Sequence, residues 1–313
     1  MKYKDWIIRY GAVTRKRFTK KQKLRFLTGI SQEFSNMGYA VDVKEAKLGR
    51  NSNYNLYIGD IDKAKYIVAA NYDTPPSTFG LLPYKLFDEN NRKTSMIISS
   101  FLPTLLLMII GSLFILKFAG PTWSDKAFSM LDVIYTFILS CIFLIMYHVK
   151  DGIGHQRNFI RNTSSIIALL DFASSLPANQ RRRVTFVLTD YGCTNCAGDK
   201  LLTERVGNKS NIIHLDSIGS SDPLYLFYPH SFSNKIDTIK EVEENYDITL
   251  FDFNKLSKRL TLYQKNEFYI ASASKEGDSF CLRKDKNMES YLSIDNLKRT
   301  VKCLQTLTCL NKI

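Results

Sequence analysis

The sequence predicts an α/β protein: a mainly parallel twisted sheet flanked by helices, interrupted by a two-helix transmembrane hairpin. Three observations carry that reading. Strand-like runs alternate with helical patterns along most of the 313 residues. Two apolar runs long enough to cross a bilayer stand side by side in the middle. Beyond them, RRVTFVLTD reads as a strand buried on both faces, as parallel sheets require.

The elements follow in order. Residues 20–38, KKQKLRFLTGISQEFSNMG, space Leu24, Phe26, Leu27, Ile30 and Phe34 as one helical face. Three strands come next, YAVDVKEA, YNLYIG and YIVAANYD, with Asn51-Ser52-Asn53 and Gly59-Asp60 as turns. NTSSIIALLDFASSL, from Asn162, is a helix closed by Pro177. After RRVTFVLTD come a short helix, AGDKLLTERV, and the strands NIIHLDSIG, YLFYP and FYIASAS. The final IDNLKRTVKCLQTLTCL is amphipathic and helical.

The apolar runs cover 95–118 and 128–149. The first holds no charge until Lys117, and the second holds one acid, Asp132. Each meets the roughly 20 residues that a helix needs to cross ~30 Å of hydrocarbon. Asp132 is expected to snorkel to the interface or to meet a partner subunit. The short connector AGPTWSDKA makes the pair a hairpin, with Trp123 as an interfacial anchor. Lys85, Arg92 and Lys93 precede it, and Lys150, Arg157 and Arg161 follow, whereas the connector region offers only Lys117 and Lys126. The positive-inside rule then predicts a multi-pass protein of the cell membrane with two spans, its soluble domain and both termini cytoplasmic. The expected organisation is residues 1–94 and 150–313 as two parts of one soluble domain, with 95–149 inserted at the C-terminal end of a strand. That edge is where open α/β sheets build their sites.

The net charge of +13 suits attraction to an anionic membrane surface. Its basic residues are spread along the chain, clusters such as Arg15-Lys16-Arg17 sit beside element starts, and no nucleic-acid motif is present. Four His and six Cys, scattered, exclude a disulfide scaffold, and MKYKDWIIRYGAVTRKRF lacks the apolar segment of a signal peptide.

Five stretches in order carry a resemblance: NYNLYIGDIDKAKYIVAANYDTPP, RNTSSIIALLDFASSL, RVTFVLTDYGCTNCAGDKLL, NIIHLDSIG and KDKNMESYLSIDNLKRTVKCL. Together they resemble the co-catalytic di-zinc aminopeptidase family, which includes bacterial leucyl aminopeptidases and glutaminyl cyclases. The resemblance implies two zinc ions held by two histidines, a bridging aspartate and two further carboxylates, with a glutamate as general base on the metal-bound water. Carried over residue by residue, the first histidine falls on Asn71, and the aspartate that orients it is kept as Asp73. The bridging aspartate falls on Arg161, the base on Gly192 and the adjoining ligand on Cys193. Another ligand is kept as Asp216, and the last histidine falls on Asp285. A guanidinium does not deprotonate in a protein, so Arg161 repels Zn²⁺ and is expected to pair with Asp216 and Asp285.

These positions imply a degenerate, membrane-anchored member without catalytic residues and without a cofactor. Its expected role is a peptide- or protein-binding or scaffold subunit of a membrane complex for peptide processing, export or immunity. The expected partners are the membrane and a protein or peptide, such as an active paralogue or a transporter subunit, with no nucleic acid. The alternative is a divergent metallopeptidase that keeps zinc through displaced ligands, Asp216, Asp285 and Cys193. A third reading is a domain that only stabilises other subunits through its hairpin. Cys193 and Cys196 form a CxxC, for which ordinary loop cysteines are set against zinc binding or thiol exchange. Cys193 with His214 as nucleophile and base is a further candidate, since alternation puts His214 and Asp216 on one face of a strand. His148 and His155 are read as interfacial or solvated, and His230 as a loop residue.

Overall fold

The structure is a computed structural model that describes residues 2–48, 51–123, 129–155, 158–229, 232, 243–256, 266–282 and 292–309. An eight-stranded sheet has the order β1-β2-β4-β3-β5-β8-β6-β7. Its strands are β1 (Val41–Leu48), β2 (Asn51–Ile58), β3 (Tyr66–Asn71), β4 (Val184–Thr189), β5 (Asn211–Asp216), β6 (Leu224–Tyr228), β7 (Ile248–Asp252) and β8 (Glu267–Ser272). The centre is parallel, with β3 between β4 and β5, and β8 beside β5. Antiparallel pairings join β1 to β2, β2 to β4 and β6 to β8. A two-stranded ribbon, β9 (Ser274–Glu276) with β10 (Ser279–Cys281), lies outside this sheet.

Both faces of the centre are covered, which is why its strands read as unbroken apolar runs. Along β3, Val68 and Ala70 join one core, while Ile67 and Ala69 join a second on the opposite face. The first core contains Phe26, Ile30 and Phe34 of α2 (Lys20–Asn36), Ile166 to Phe172 of α6 (Ser164–Ser175), and Leu297 and Leu304 of α8 (Ile294–Cys309). Each such side chain contributes about 1.5–3 kcal/mol on full burial. The second core rests on Leu202 and Val206 of α7 (Ala197–Val206). Thr19 caps α2 through a reciprocal exchange with Gln22.

Three elements lie outside the expected series. The basic N-terminus forms a helix, α1 (Lys2–Trp6), continued by a π-helical segment (Ile7–Val13) whose Tyr10 is buried in the first core beside Trp6. Strand β7 closes the far edge of the sheet, and the β9–β10 ribbon follows β8.

Two helical stretches, Glu89–Trp123 (35 residues) and Met130–Val149 (20 residues), are long and apolar enough to cross a membrane. Only 11% of each apolar window is buried, so neither is a core helix of the soluble part. The first comprises α3 (Glu89–Phe114), a π-helical segment (Ile115–Ala119) and α4 (Gly120–Trp123); the second is α5 (Met130–Val149). Phe114 packs edge-on against Tyr135 across the pair. Asp132 is buried and accepts the Ser129 N–H at 2.7 Å, closing a capping box at the start of α5. At the other end the Ser99 hydroxyl exchanges two hydrogen bonds of 2.8 Å with the backbone of Ile153. The loop leaving β3 joins there too, through a bridge from Pro76 to Gly154 and the bond from Ser77 N–H to the Ile153 carbonyl (2.7 Å).

Candidate functional site

The C-terminal ends of β3, β4 and β5 deliver Asn71, Thr189 and Asp216 to one edge of the sheet. Backbone strain gathers beside them. Tyr191, Cys196 and Ser217 have φ of 58°, 55° and 56°, a region that side chains other than glycine rarely occupy.

Asn71 and Gly192 interlock. A Cβ built on Gly192 would lie 1.9 Å from Cγ and Oδ1 of Asn71, so the amide fills the space in which any side chain at 192 would begin. With its nitrogen toward Asp199, the amide donates to both carboxylate oxygens (3.2 and 3.3 Å) and to Thr189 Oγ1 (2.6 Å). The opposite orientation would set oxygen against oxygen. Thr189 in turn donates to Asp199 at 2.7 Å. His214 continues this line, 4.0 Å from Asp199 and 3.3 Å from Glu267, which also accepts the Thr203 hydroxyl at 2.9 Å. Burial opposes the imidazolium, but Glu267, Asp199 and Asp216 outweigh it and hold His214 above its ordinary pKa.

Asp73 lies deeper, 2% exposed. Its carboxylate accepts the Cys193 N–H at 3.1 and 3.3 Å. Burial pushes its pKa up to about 7, against the pull of Lys23 and with a push from Asp190. Lys23 and Asp190 form a buried ion pair of 2.6 Å. Cys193 Sγ donates to the Asp73 carbonyl (3.3 Å) and receives the Asn162 amide (3.2 Å). Burial drives this thiol far above its ordinary value, with Arg161 offsetting only part of the shift. Cys196 is pushed up to about 12 by burial and bonds the Gly192 carbonyl at 3.6 Å. Both sulfurs of the CxxC are free thiols held in protonated form, which suits neither metal binding nor thiol exchange.

Asp216 accepts three hydroxyls: Tyr269 at 2.8 Å and Tyr84 at 2.5 Å on Oδ2, and Ser217 at 2.6 Å on Oδ1. The expected Arg161–Asp216 ion pair is replaced by a Tyr84 bridge. The Arg161 guanidinium lies flat over the Tyr84 ring, 3.4 Å from its centroid, while the phenol hydroxyl faces Asp216. The Cys193–His214 couple is also replaced. His214 stacks on Tyr269 at 5.8 Å and pairs with Glu267, while Cys193 is engaged with Asp73 and Asn162. His214 and Asp216 do share a face, where Tyr269 meets both. Asp285 and His230 lie outside the described residues.

No family model and no curated sequence matches the chain. Solved structures do. The glutaminyl cyclase of Tannerella forsythia superposes with a TM-score of 0.56 at 12% identity, over 99% of this chain and 98% of that one. That of Porphyromonas gingivalis gives 0.54 at 11%, over 96% and 93%. A leucine aminopeptidase precursor from Bacteroides thetaiotaomicron gives 0.52 at 12%, over 99% and 94%. The chain has the glutaminyl cyclase and aminopeptidase fold.

Zinc, which the resemblance implies for this fold, is ill matched to the residues present. The positions in question offer an amide committed to Asp199, a fixed cation, no side chain, a protonated thiol, and a carboxylate already accepting three hydroxyls. Among the described residues, no three His, Cys, Asp or Glu side chains converge as ligands would.

Sequence reasoning missed Tyr84, Tyr269, Asp199 and Glu267, whose contacts with the site span long separations, such as 132 residues from Tyr84 to Asp216. It also missed the cations beneath the edge. Arg17 sits in a cluster that reads as solvated surface, yet it is fully buried. It lies in a short loop between the exposed Arg15 and Lys16 and the half-buried Phe18, which leaves no periodic signal.

Proposed function

We propose that this chain is a catalytically inactive, membrane-anchored protein of aminopeptidase-like fold that binds a peptide or protein instead of hydrolysing it. The observation that carries this reading is the interlock of Asn71 with Gly192. The position where the resemblance implies a general base has no side chain, and the position where it implies a metal ligand has turned into that space. Arg161, a permanent cation where a bridging carboxylate is implied, supports the same conclusion. Hydrolysis needs an activated water and a place for the developing oxyanion, and neither the base nor the ligand set for them is present among the described residues.

The apolar helices anchor the protein in the membrane, with the soluble part and both termini in the cytoplasm. The site edge and the hairpin share the loop that leaves β3, so a bound segment is held at the bilayer surface. The partner is a peptide or protein within a membrane complex, such as an active paralogue or a transporter subunit serving peptide processing, export or immunity. Nucleic acid has no part in it.

Metal analysis of the purified full chain, beside Asp216→Ala, tests the core of this reading. The expected result is no stoichiometric zinc in either. Tightly bound zinc in the parent protein that disappears in the variant overturns it and restores the enzyme.

A further inference from the structure

Arg161 is 8% exposed, and its guanidinium has no hydrogen-bond acceptor and no ion-pair partner within 4 Å among the described residues. One face is covered by Tyr84. The nearby acids are engaged elsewhere. Asp216 already accepts three hydroxyls, and the Asp73 carboxylate is turned to the Cys193 N–H. Both act on Arg161 only through space.

A side chain only 8% exposed that brings a fixed cation with no protein acceptor to the sheet edge calls for an anion to balance it. Its planar fork matches a carboxylate or phosphate in bidentate fashion. Charge selects between the two. Asp216 repels a doubly charged phosphate about twice as strongly as a singly charged carboxylate, which balances Arg161 one to one and has the neighbouring Arg92, which acts on the same Tyr84, as an additional attraction. We propose that Arg161, backed by Tyr84, is the receptor for a carboxylate, supplied by the free C-terminus of a bound peptide. The identity of the carboxylate as a peptide terminus rests on the peptide-binding reading above; the carboxylate site itself does not.

The test uses the full chain in detergent and calorimetric titration. The probes are a pool of random tripeptides as free acids, the same pool as C-terminal carboxamides, acetate, and inorganic phosphate. The parent protein is set beside Arg161→Met, with a thermal melt to establish that the variant folds. The expected result is binding of the free-acid pool about tenfold or more tighter than the carboxamides, with the preference abolished in Arg161→Met. Equal binding of both pools overturns the carboxylate receptor and leaves peptide binding standing. Arg161-dependent binding of acetate without binding of either pool upholds the receptor and overturns the peptide reading. Preference for phosphate, or no binding of any probe, overturns the proposal. Should Arg161→Met fail to fold, Arg161→Gln, which removes the charge and keeps a polar side chain, replaces it with the same outcomes.

Discussion

Arg17 and Arg161 are both buried arginines at the same sheet edge, and they are used in opposite ways. Each nitrogen of the Arg17 guanidinium is engaged inside the protein. Nε donates to the Tyr72 carbonyl (2.6 Å), Nη1 to those of Tyr10 (3.1 Å) and Thr14 (3.3 Å), and Nη2 to Thr163 Oγ1 (2.9 Å). It thereby ties the N-terminal segment to β3 and to the start of α6. Arg161 has a ring beneath it and no acceptor among the described residues. A charge whose nitrogens all find acceptors inside the protein serves the scaffold; one without protein acceptors is available to a ligand.

The largest expected effect separates them directly. Arg17→Met strands three carbonyls and a hydroxyl and should cost about 3–5 kcal/mol in chemical denaturation. Arg161→Met breaks no internal hydrogen bond and should cost within about 1 kcal/mol. Equal costs would break the comparison.

The next effect is on pH dependence. Between about pH 4 and pH 7 Asp73 is protonated in the folded chain, where burial raises its pKa to about 7, and ionised in the unfolded one. The folded state holds the extra proton, so stability falls as pH rises through this window. Asp190, also raised by burial, acts in the same direction. His214, raised above 6.5, contributes stability that is complete below that value and lost as pH climbs past its folded pKa. Melting temperature should therefore decline from pH 5 to pH 8, and Asp73→Asn should flatten the lower part of that decline.

A smaller effect concerns the interlock. Gly192→Ala should destabilise by about 1–3 kcal/mol, with most of the loss recovered when Asn71→Gly is added. Recovery failing in the double variant would place the strain elsewhere. Smallest of all, Tyr84→Phe keeps the ring under Arg161 and removes one of the three donors to Asp216, for a loss of about 1 kcal/mol in the same denaturation assay.

What the sequence discloses follows from where each signal lies. The strands β3, β4 and β5 are continuous apolar runs because both faces are covered, and the two long helices stand out because they are apolar all round. The resemblance located the site edge through short motifs such as HLDSIG and AANYD. Partnerships were a different matter. Nothing in the spacing of Tyr84, Tyr269 and Asp216 announces that they meet, since the fold alone brings them together. Arg17 and Lys23 mislead because a charge beside other charges looks solvated, and only the closed surroundings reveal otherwise. The β7 segment, ITLFD, is short and follows a charged stretch, and the π-helical segment Ile7–Val13 has a period that helical patterns do not register.

The interlock of Asn71 with Gly192 also couples two positions far apart in the chain. A side chain gained at 192 collides with the amide while Asn71 is in place, and a change at 71 alone still leaves 192 bare. Neither single substitution puts a side chain at 192 into that space, so the two together act as a ratchet that only a double change releases.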